Sequence, residues 1–470
     1  VRYGADTGPR RFRPPAPPEP WTDIRDALTF GPIAPQPTSN AWAMGEDCLH
    51  LNVWTPGLGD SARRPVLVWF HPGAFSSDTS NRVETDGARL ARRGDAVVIT
   101  VNHRLNAFGF LHLAGIGGDA FADSGNVGML DLILALQWVR DHAAVFGGDP
   151  GNVTVFGQSG GGAKCATLMA MPAARGLFHR VLTMSGQQIT ASRVETATTH
   201  ARQVLDALAI PADRIETLRT LPMEQLMKVS RAASYLGPVK DGRSVPRDPF
   251  DPDAPPQSAH LPMILGNTRD ETRTLIGRGD PSIFDLTWET LQAKLQAASP
   301  FMGTLDRGNV IAAYRKWYPQ YSPADVFFAS TTASRSWRGQ VIEAERRAVQ
   351  PVARAHTWVY QLDFRSPVDG GRWGAHHGLD VPLIFDNVAL APQMVGTGAA
   401  AHTVADLMSE MLIAFARTNR PVNRAIPSWP AYDLERRRTL LIDARSRVAD
   451  DPRGDERRLF AVVPYVQPGT

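Results

Sequence analysis

A chain of 470 residues, 43% hydrophobic and 21% charged, has the composition of a folded globular protein with enough apolar side chains for a large core. Lysine and arginine number 50 against 47 aspartates and glutamates, a net charge of +3, and no basic block is dense enough to form a nucleic-acid surface. Two cysteines, Cys48 and Cys165, exclude a disulfide scaffold and a cysteine-based zinc site, although one bond between them stays open; no stretch reads as long and apolar enough to cross a bilayer.

The sequence begins at Val1 rather than methionine, so its original N-terminus is expected to be missing and a secretory leader cannot be judged. Residues 8–20, rich in proline and arginine, read on composition as a linker or polyproline segment. Continuous apolar runs over 65–70 and 96–101 predict strands buried on both faces of a parallel sheet. Apolar residues at helical spacing over 130–139 predict a helix, broken by Gly147-Gly148-Asp149-Pro150. Residues 153–156 read as a strand that turns into a helix running to Met171. Further strands are expected over 181–184, 263–265 and 357–362, and a helix over 404–416 stopped by Asn419-Arg420-Pro421. Alternating strands and helices predict a doubly wound, mostly parallel α/β sheet. Residues 271–354 look mostly helical and aromatic, as an insertion capping the carboxyl edge of that sheet would be. The sequence shows no internal repeat.

Chemistry centres on Gly157-Gln158-Ser159-Gly160-Gly161, the pattern Gly-x-Ser-x-Gly at the point where strand, turn and helix signals meet. Flanking glycines let the backbone bend sharply and lift the serine hydroxyl clear of the sheet edge. An alkyl alcohol is a poor nucleophile at neutral pH. It needs a base within hydrogen-bond reach, and that base needs a carboxylate to fix its tautomer. Glu271 follows an apolar strand in a loop, and His377 lies in Gly374-Ala375-His376-His377-Gly378. Taken singly, each has a plainer reading, as a solvated loop acid and as one of 12 histidines. The pair His376–His377 has no companion cluster at metal-ligand spacing, so no metal is expected. Acyl transfer also builds negative charge on a carbonyl oxygen, which preorganised backbone N–H groups stabilise. His71-Pro72-Gly73-Ala74-Phe75, just after a buried strand, offers the amides of Gly73 and Ala74 beside that of Gly160; read plainly, it is a turn. Residues 157–164 nearly match a phosphate-binding loop, but Ala163 occupies the glycine position before Lys164.

These segments together resemble the type-B carboxylesterases. The resemblance is carried in order by residues 8–15, by Glu46-Asp47-Cys48-Leu49-His50-Leu51-Asn52-Val53, by Asn102-His103-Arg104-Leu105 with Gly109-Phe110-Leu111, by Gly125-Asn126-Val127-Gly128-Met129-Leu130-Asp131, by 135–139 and by 146–150 leading into the serine motif. It implies an α/β-hydrolase fold, one domain over 1–470 with a helical cap insertion near 272–354, and hydrolysis of carboxylic esters without metal or cofactor. It implies a triad of Ser159, Glu271 and His377, oxyanion donors at Gly73, Ala74 and Gly160, and for Ser185 either a supporting hydrogen bond or plain packing. A small-molecule ester is the implied partner, with neither nucleic acid nor membrane span; oligomeric state is not legible. The same machinery would serve amides, carbamates or lactones, whereas an inactive binding homologue would be expected to lose the nucleophile.

Several positions depart from the family pattern. Gln158 stands where the family usually has glutamate, which removes a charge beside the nucleophile. Gly160 replaces the usual alanine, keeping the N–H but loosening the backbone. Pro72 replaces the first loop glycine and has no N–H, yet that position is not a donor, so the oxyanion hole is expected to survive. Cys48 matches a position that often forms a disulfide in secreted members, but no upstream cysteine is present to pair with it, so a reducing, cytoplasmic setting is expected. The N-terminal hairpin of the family is also expected to be missing. Phe75 and Phe108 lie near the motifs as candidate pocket residues, with core burial as the alternative.

Overall fold

Strands buried on both faces need apolar side chains on both faces, and the apolar runs become strands accordingly. The computed structural model describes residues 1–38, 42–298 and 300–468. They form two compact units, one of residues 1–183 and 188–261, the other of residues 184–187 and 262–468.

In the first unit β1 (Leu51–Trp54), β2 (Arg64–Phe70), β3 (Val97–Val101), β4 (Gly148–Gln158) and β5 (Arg180–Met184) lie in the order β1-β3-β2-β4-β5. β2 runs parallel to β3 and to β4, and β1 caps the edge antiparallel to β3. The residues of β3 and β5 are all buried. Registration of Phe70 opposite Gly157 ends β2 and β4 side by side, so the loop after β2 and the turn after β4 leave the same end of neighbouring strands. β4 starts at Gly148, earlier than its apolar run, because Gly148 still pairs with Arg64 across an irregularity in register. The predicted helix extends to Val127–His142, and Gly147 follows with φ of 72°.

Residues 8–20 are not a loose linker. Phe12 and Arg11 are buried; Arg11 pairs with Glu46 and donates to the carbonyl oxygens of Leu218 (2.8 Å) and Leu221 (2.7 Å). Cys48 and Cys165 are both free and buried.

In the second unit β6 (Met263–Thr268), β7 (Thr357–Leu362), β8 (Thr439–Ile442) and β9 (Arg447–Ala449) follow one another in space, the first three parallel and β9 antiparallel. Between β6 and β7 the chain is helical, with helices Trp288–Ala298, Arg307–Trp317, Pro323–Thr332 and Arg338–Ala348 and a π-turn at Ala333–Trp337. Ser322 and Asp325 form a capping box, with Pro323 in the first turn. This region has its own core, including Ile283, Leu295, Val310, Tyr314, Phe327 and Phe328.

The predicted C-terminal helix extends to Ala399–Thr418 and is closed by Asn419 in the left-handed conformation, φ 64°. Contrary to the sequence expectation, this helix does reach the length and mean hydropathy of a membrane span. It is 56% buried within the fold, and Met408, Met411, Leu412 and Phe415 are core residues, so its apolar character is accounted for by packing.

The first unit also holds a buried ion pair. Arg104, after β3, meets Asp131 of the helix Val127–His142 through Nη2–Oδ1 (2.6 Å) and Nε–Oδ2 (2.9 Å), and Oδ2 also accepts the Arg104 backbone N–H (3.0 Å). Removing one member of such a pair leaves a buried charge uncompensated. Asp131→Ala is therefore expected to lower the unfolding free energy by about 3–5 kcal/mol, measured by urea denaturation. A loss under about 1 kcal/mol would mean that the pair does not fasten strand end to helix.

Candidate active site

Ser159 sits between β4 and the helix Gly160–Ala170 with φ 53° and ψ −123°. That left-handed φ is strained for a non-glycine residue, as expected of a serine on a sharp strand-to-helix turn. Its neighbours show why the motif needs glycine. A Cβ on Gly157 would lie 2.4 Å from the carbonyl carbon of Gly161, and one on Gly161 would lie 1.9 Å from the oxygen of Phe70. A Cβ on Gly160 would lie 2.2 Å from the oxygen and 2.4 Å from the Cα of Ala74. Gly160, expected to loosen the backbone, instead admits a second backbone at contact distance.

That second backbone is the loop after β2, where Gly73 (φ 84°) and Ala74 (φ 53°) both adopt left-handed conformations. It is held by Ser76 and Ser77 N–H donating to Gly73 O (3.1 and 3.0 Å), by Asn106 N–H to Phe75 O (2.7 Å) and by Lys164 Nζ to His71 O (3.0 Å). Among the described residues, the amides of Gly73, Ala74 and Gly160 donate to no hydrogen bond. Phe75 and Phe108 are both buried, and Gln158 is buried beside the serine.

The second unit carries the other predicted residues. Glu271 is completely buried; its Oε1 accepts from Thr268 N–H (2.9 Å) and Asn267 Nδ2 (3.1 Å), and its Oε2 meets His377 Nδ1. Two loops are tied together to make this pair. Asp270 N–H donates to Ala375 O (2.9 Å), and Ala375 N–H returns a bond to Asp270 Oδ2 (2.9 Å). Gly374 must be glycine here, since a Cβ would lie 2.3 Å from Asp270 Oδ2 at φ 60°. Thr272 is fastened by Thr332 Oγ1 on its N–H (3.2 Å) and by Phe328 O on its hydroxyl (2.9 Å).

Burial works to raise the Glu271 pKa. Attraction to His377, with hydrogen bonds from His377 and Thr268 and the nearby hydroxyl of Ser185, outweighs it, and the carboxyl lies below its usual range. Ser185 takes φ 50° and donates its N–H to Gly266 O (2.7 Å). Its Oγ acts on the Glu271 charge, though it makes no hydrogen bond of good geometry among the described residues.

A nearby carboxyl behaves in the opposite way. Asp380 is buried, accepts from Tyr360 Oη (3.1 Å) and is raised to about 7, by burial first and then by the charge of Glu271. Neither Asp380 nor Lys164 belongs to the catalytic motifs legible in the sequence. For Lys164 the signal was available, a lysine inside a run of small and apolar residues. Asp380 offered none, since an acid three residues after a histidine is unremarkable until its burial is known. Among the described residues, no group of three or more His, Cys, Asp and Glu side chains is placed to hold a metal ion.

The sequence profile of the carboxylesterase family matches residues 1–460. The chain belongs to the carboxylesterase family. The esterase is 33% identical to the para-nitrobenzyl esterase of Bacillus subtilis (strain 168) over 474 residues, covering 96% of this chain and 91% of that one. It is 32% identical to the phenmedipham hydrolase of Pseudarthrobacter oxydans, covering 94% and 90% of the two chains. A solved carboxylesterase of Geobacillus stearothermophilus matches it with a TM-score of 0.86 at 34% identity, covering 98% of this chain and 95% of that one. The esterase is thus a carboxylic ester hydrolase on an α/β-hydrolase fold, as its motifs imply.

The raised Asp380 pKa has a consequence for the esterase's stability. Between the ordinary value of 3.8 and about 7 the native state binds more protons than the unfolded chain, so the stability from Asp380 is full below the first value and lost as pH rises through the second. Asp380→Asn is expected to flatten the decline in urea midpoint across that window. An unchanged slope in a pH series of denaturation curves would refute the assignment.

Proposed function

We propose that the esterase works by acyl transfer through Ser159, with His377 as general base and Glu271 as the carboxylate that orients it. The observation that carries this reading is the contact of His377 with the fully buried Glu271. An imidazole whose Nδ1–H is held by a carboxylate presents Nε2 as a proton acceptor, in the tautomer a hydroxyl nucleophile requires. Ser159 Oγ attacks the ester carbonyl carbon as its proton passes to His377. The carbonyl oxygen becomes an oxyanion and accepts from the amides of Gly73, Ala74 and Gly160, which have no other acceptor among the described residues. The imidazolium then gives its proton to the leaving alcohol, and an acyl-serine remains. Water repeats the sequence, releasing the acid and restoring Ser159. Ser185 supports the charge on Glu271. No step calls for a metal or cofactor.

Small-molecule carboxylic esters are the proposed substrates. The name of the Bacillus subtilis relative makes para-nitrobenzyl esters the first to try.

Ser159→Ala is expected to abolish turnover of a para-nitrophenyl ester while the circular dichroism spectrum stays that of the parent. Undiminished turnover would remove Ser159 from the reaction. Gly160→Ala puts a methyl group against the backbone of Ala74, which must move. It is expected to lower kcat by about 100-fold with KM little changed, since misplaced donors lose transition-state binding. Parental kcat in steady-state assays would mean that the close approach of Ala74 to Gly160 does not aim these amides.

A further inference from the structure

Lys164 has no part in the reaction above. It lies on the helix Gly160–Ala170, every residue of which is buried, and is itself fully buried. Its Nζ donates to His71 O at 3.0 Å and stands 5.9 Å from the centroid of the Phe75 ring. No carboxylate forms an ion pair with it among the described residues, and Asp78 acts on it only at a distance. Burying an amine on one hydrogen bond costs stability, and a methionine of similar length would fill the space without that cost. Stability therefore does not account for a lysine here.

Its two contacts do. His71 and Phe75 are the first and last residues of the loop that carries Gly73 and Ala74. That loop bends through left-handed conformations and touches Gly160 backbone to backbone, so small displacements would re-aim its amides. We propose that Lys164 is a positioning residue that holds both ends of this loop, through the His71 carbonyl and the Phe75 ring, and so fixes the aim of the Gly73 and Ala74 N–H groups. The proposal rests on the reading of those amides as oxyanion donors.

The surroundings suit a fixed clamp. His71 and His103 stack at 5.1 Å between ring centroids, with Nδ1 of each facing a carbonyl oxygen, Pro72 O (2.8 Å) and Arg104 O (2.7 Å). Burial first, then the charge of Lys164, holds both imidazoles well below their ordinary pKa, so they stay neutral beside it. Burial lowers Lys164 to about 7. Amine and ammonium both keep an N–H for His71 O, so that arm of the clamp survives deprotonation, while the attraction to the Phe75 ring is strongest for the ammonium.

The test is Lys164→Met, assayed for kcat and KM on a para-nitrophenyl ester, for inhibition by a trifluoromethyl ketone that forms an oxyanion on the nucleophile, and for melting temperature. Expected are a fall in kcat of about 10- to 100-fold, KM within about twofold, inhibitor affinity weakened in step with kcat, and a melting temperature equal to or above the parent. A residue needed only for structure would lower melting temperature and activity together, and that result overturns the proposal, as does parental kcat. If Lys164→Met does not fold, Phe75→Leu decides, because it removes the ring at the other end of the loop. The same split between kcat and KM supports the clamp, and parental kcat overturns it. Ser159→Ala tells the two levels apart. Turnover in that variant sinks the acyl-transfer reading itself, whereas an inert Ser159→Ala beside a fully active Lys164→Met sinks only the clamp.

Discussion

The first unit is organised around a place where two backbones approach more closely than any side chain would permit. β2 and β4 are parallel neighbours that end together, and what leaves them must share the same small volume. The loop from Phe70 to Ala74 and the turn from Gly157 to Gly161 do so only because the crowded positions carry no Cβ. Glycines at the start of a helix sacrifice helix propensity, by about 1 kcal/mol each relative to alanine. In return the lining of the turn is made of amide N–H groups in place of side chains. Two of the departures from the family pattern, Pro72 and Gly160, fall on this contact. Pro72 stiffens one strand exit, and Gly160 clears the space into which the other exit folds.

Each unit also places ionisable groups where water does not reach, and each group is handled differently. Arg104 and Asp131 neutralise one another with a nearly saturated set of hydrogen bonds. Glu271 keeps its charge because an imidazole and donors converge on it. Asp380, sharing the field of Glu271, gives its charge up, in the way paired carboxyls divide into an ionised and a protonated member. Among the described residues, Lys164 has only a carbonyl and a ring face. Groups with complete partner sets can be understood as fastenings; those with incomplete sets call for another explanation.

Much of this was legible in the sequence, for reasons that differ by element. The strands at 65–70, 96–101, 181–184 and 357–362 were readable because burial on both faces fills them mostly with apolar and β-branched residues. β1 and β9 were not read as strands, since their partly exposed residues blur the pattern, and β8 is a short run that follows a string of arginines. The start of β4 was hidden because Gly148, Asp149 and Pro150 look like a break and yet belong to the strand. The candidate residues Ser159, Glu271 and His377 were identifiable because motif and chain order constrain them. Partners made by tertiary proximity were not: nothing local to Asp270 announces its exchange of hydrogen bonds with Ala375, and nothing local to Lys164 announces His71.

The two cysteines have a practical corollary. Both are buried, and burial pushes each thiol far above its usual range, so neither offers a thiolate to peroxide, metal or glutathione at neutral pH. Among the described residues the fold therefore carries no disulfide crosslink. Reagents that seek a thiolate are therefore met by a folded catalyst that withholds both of its thiols.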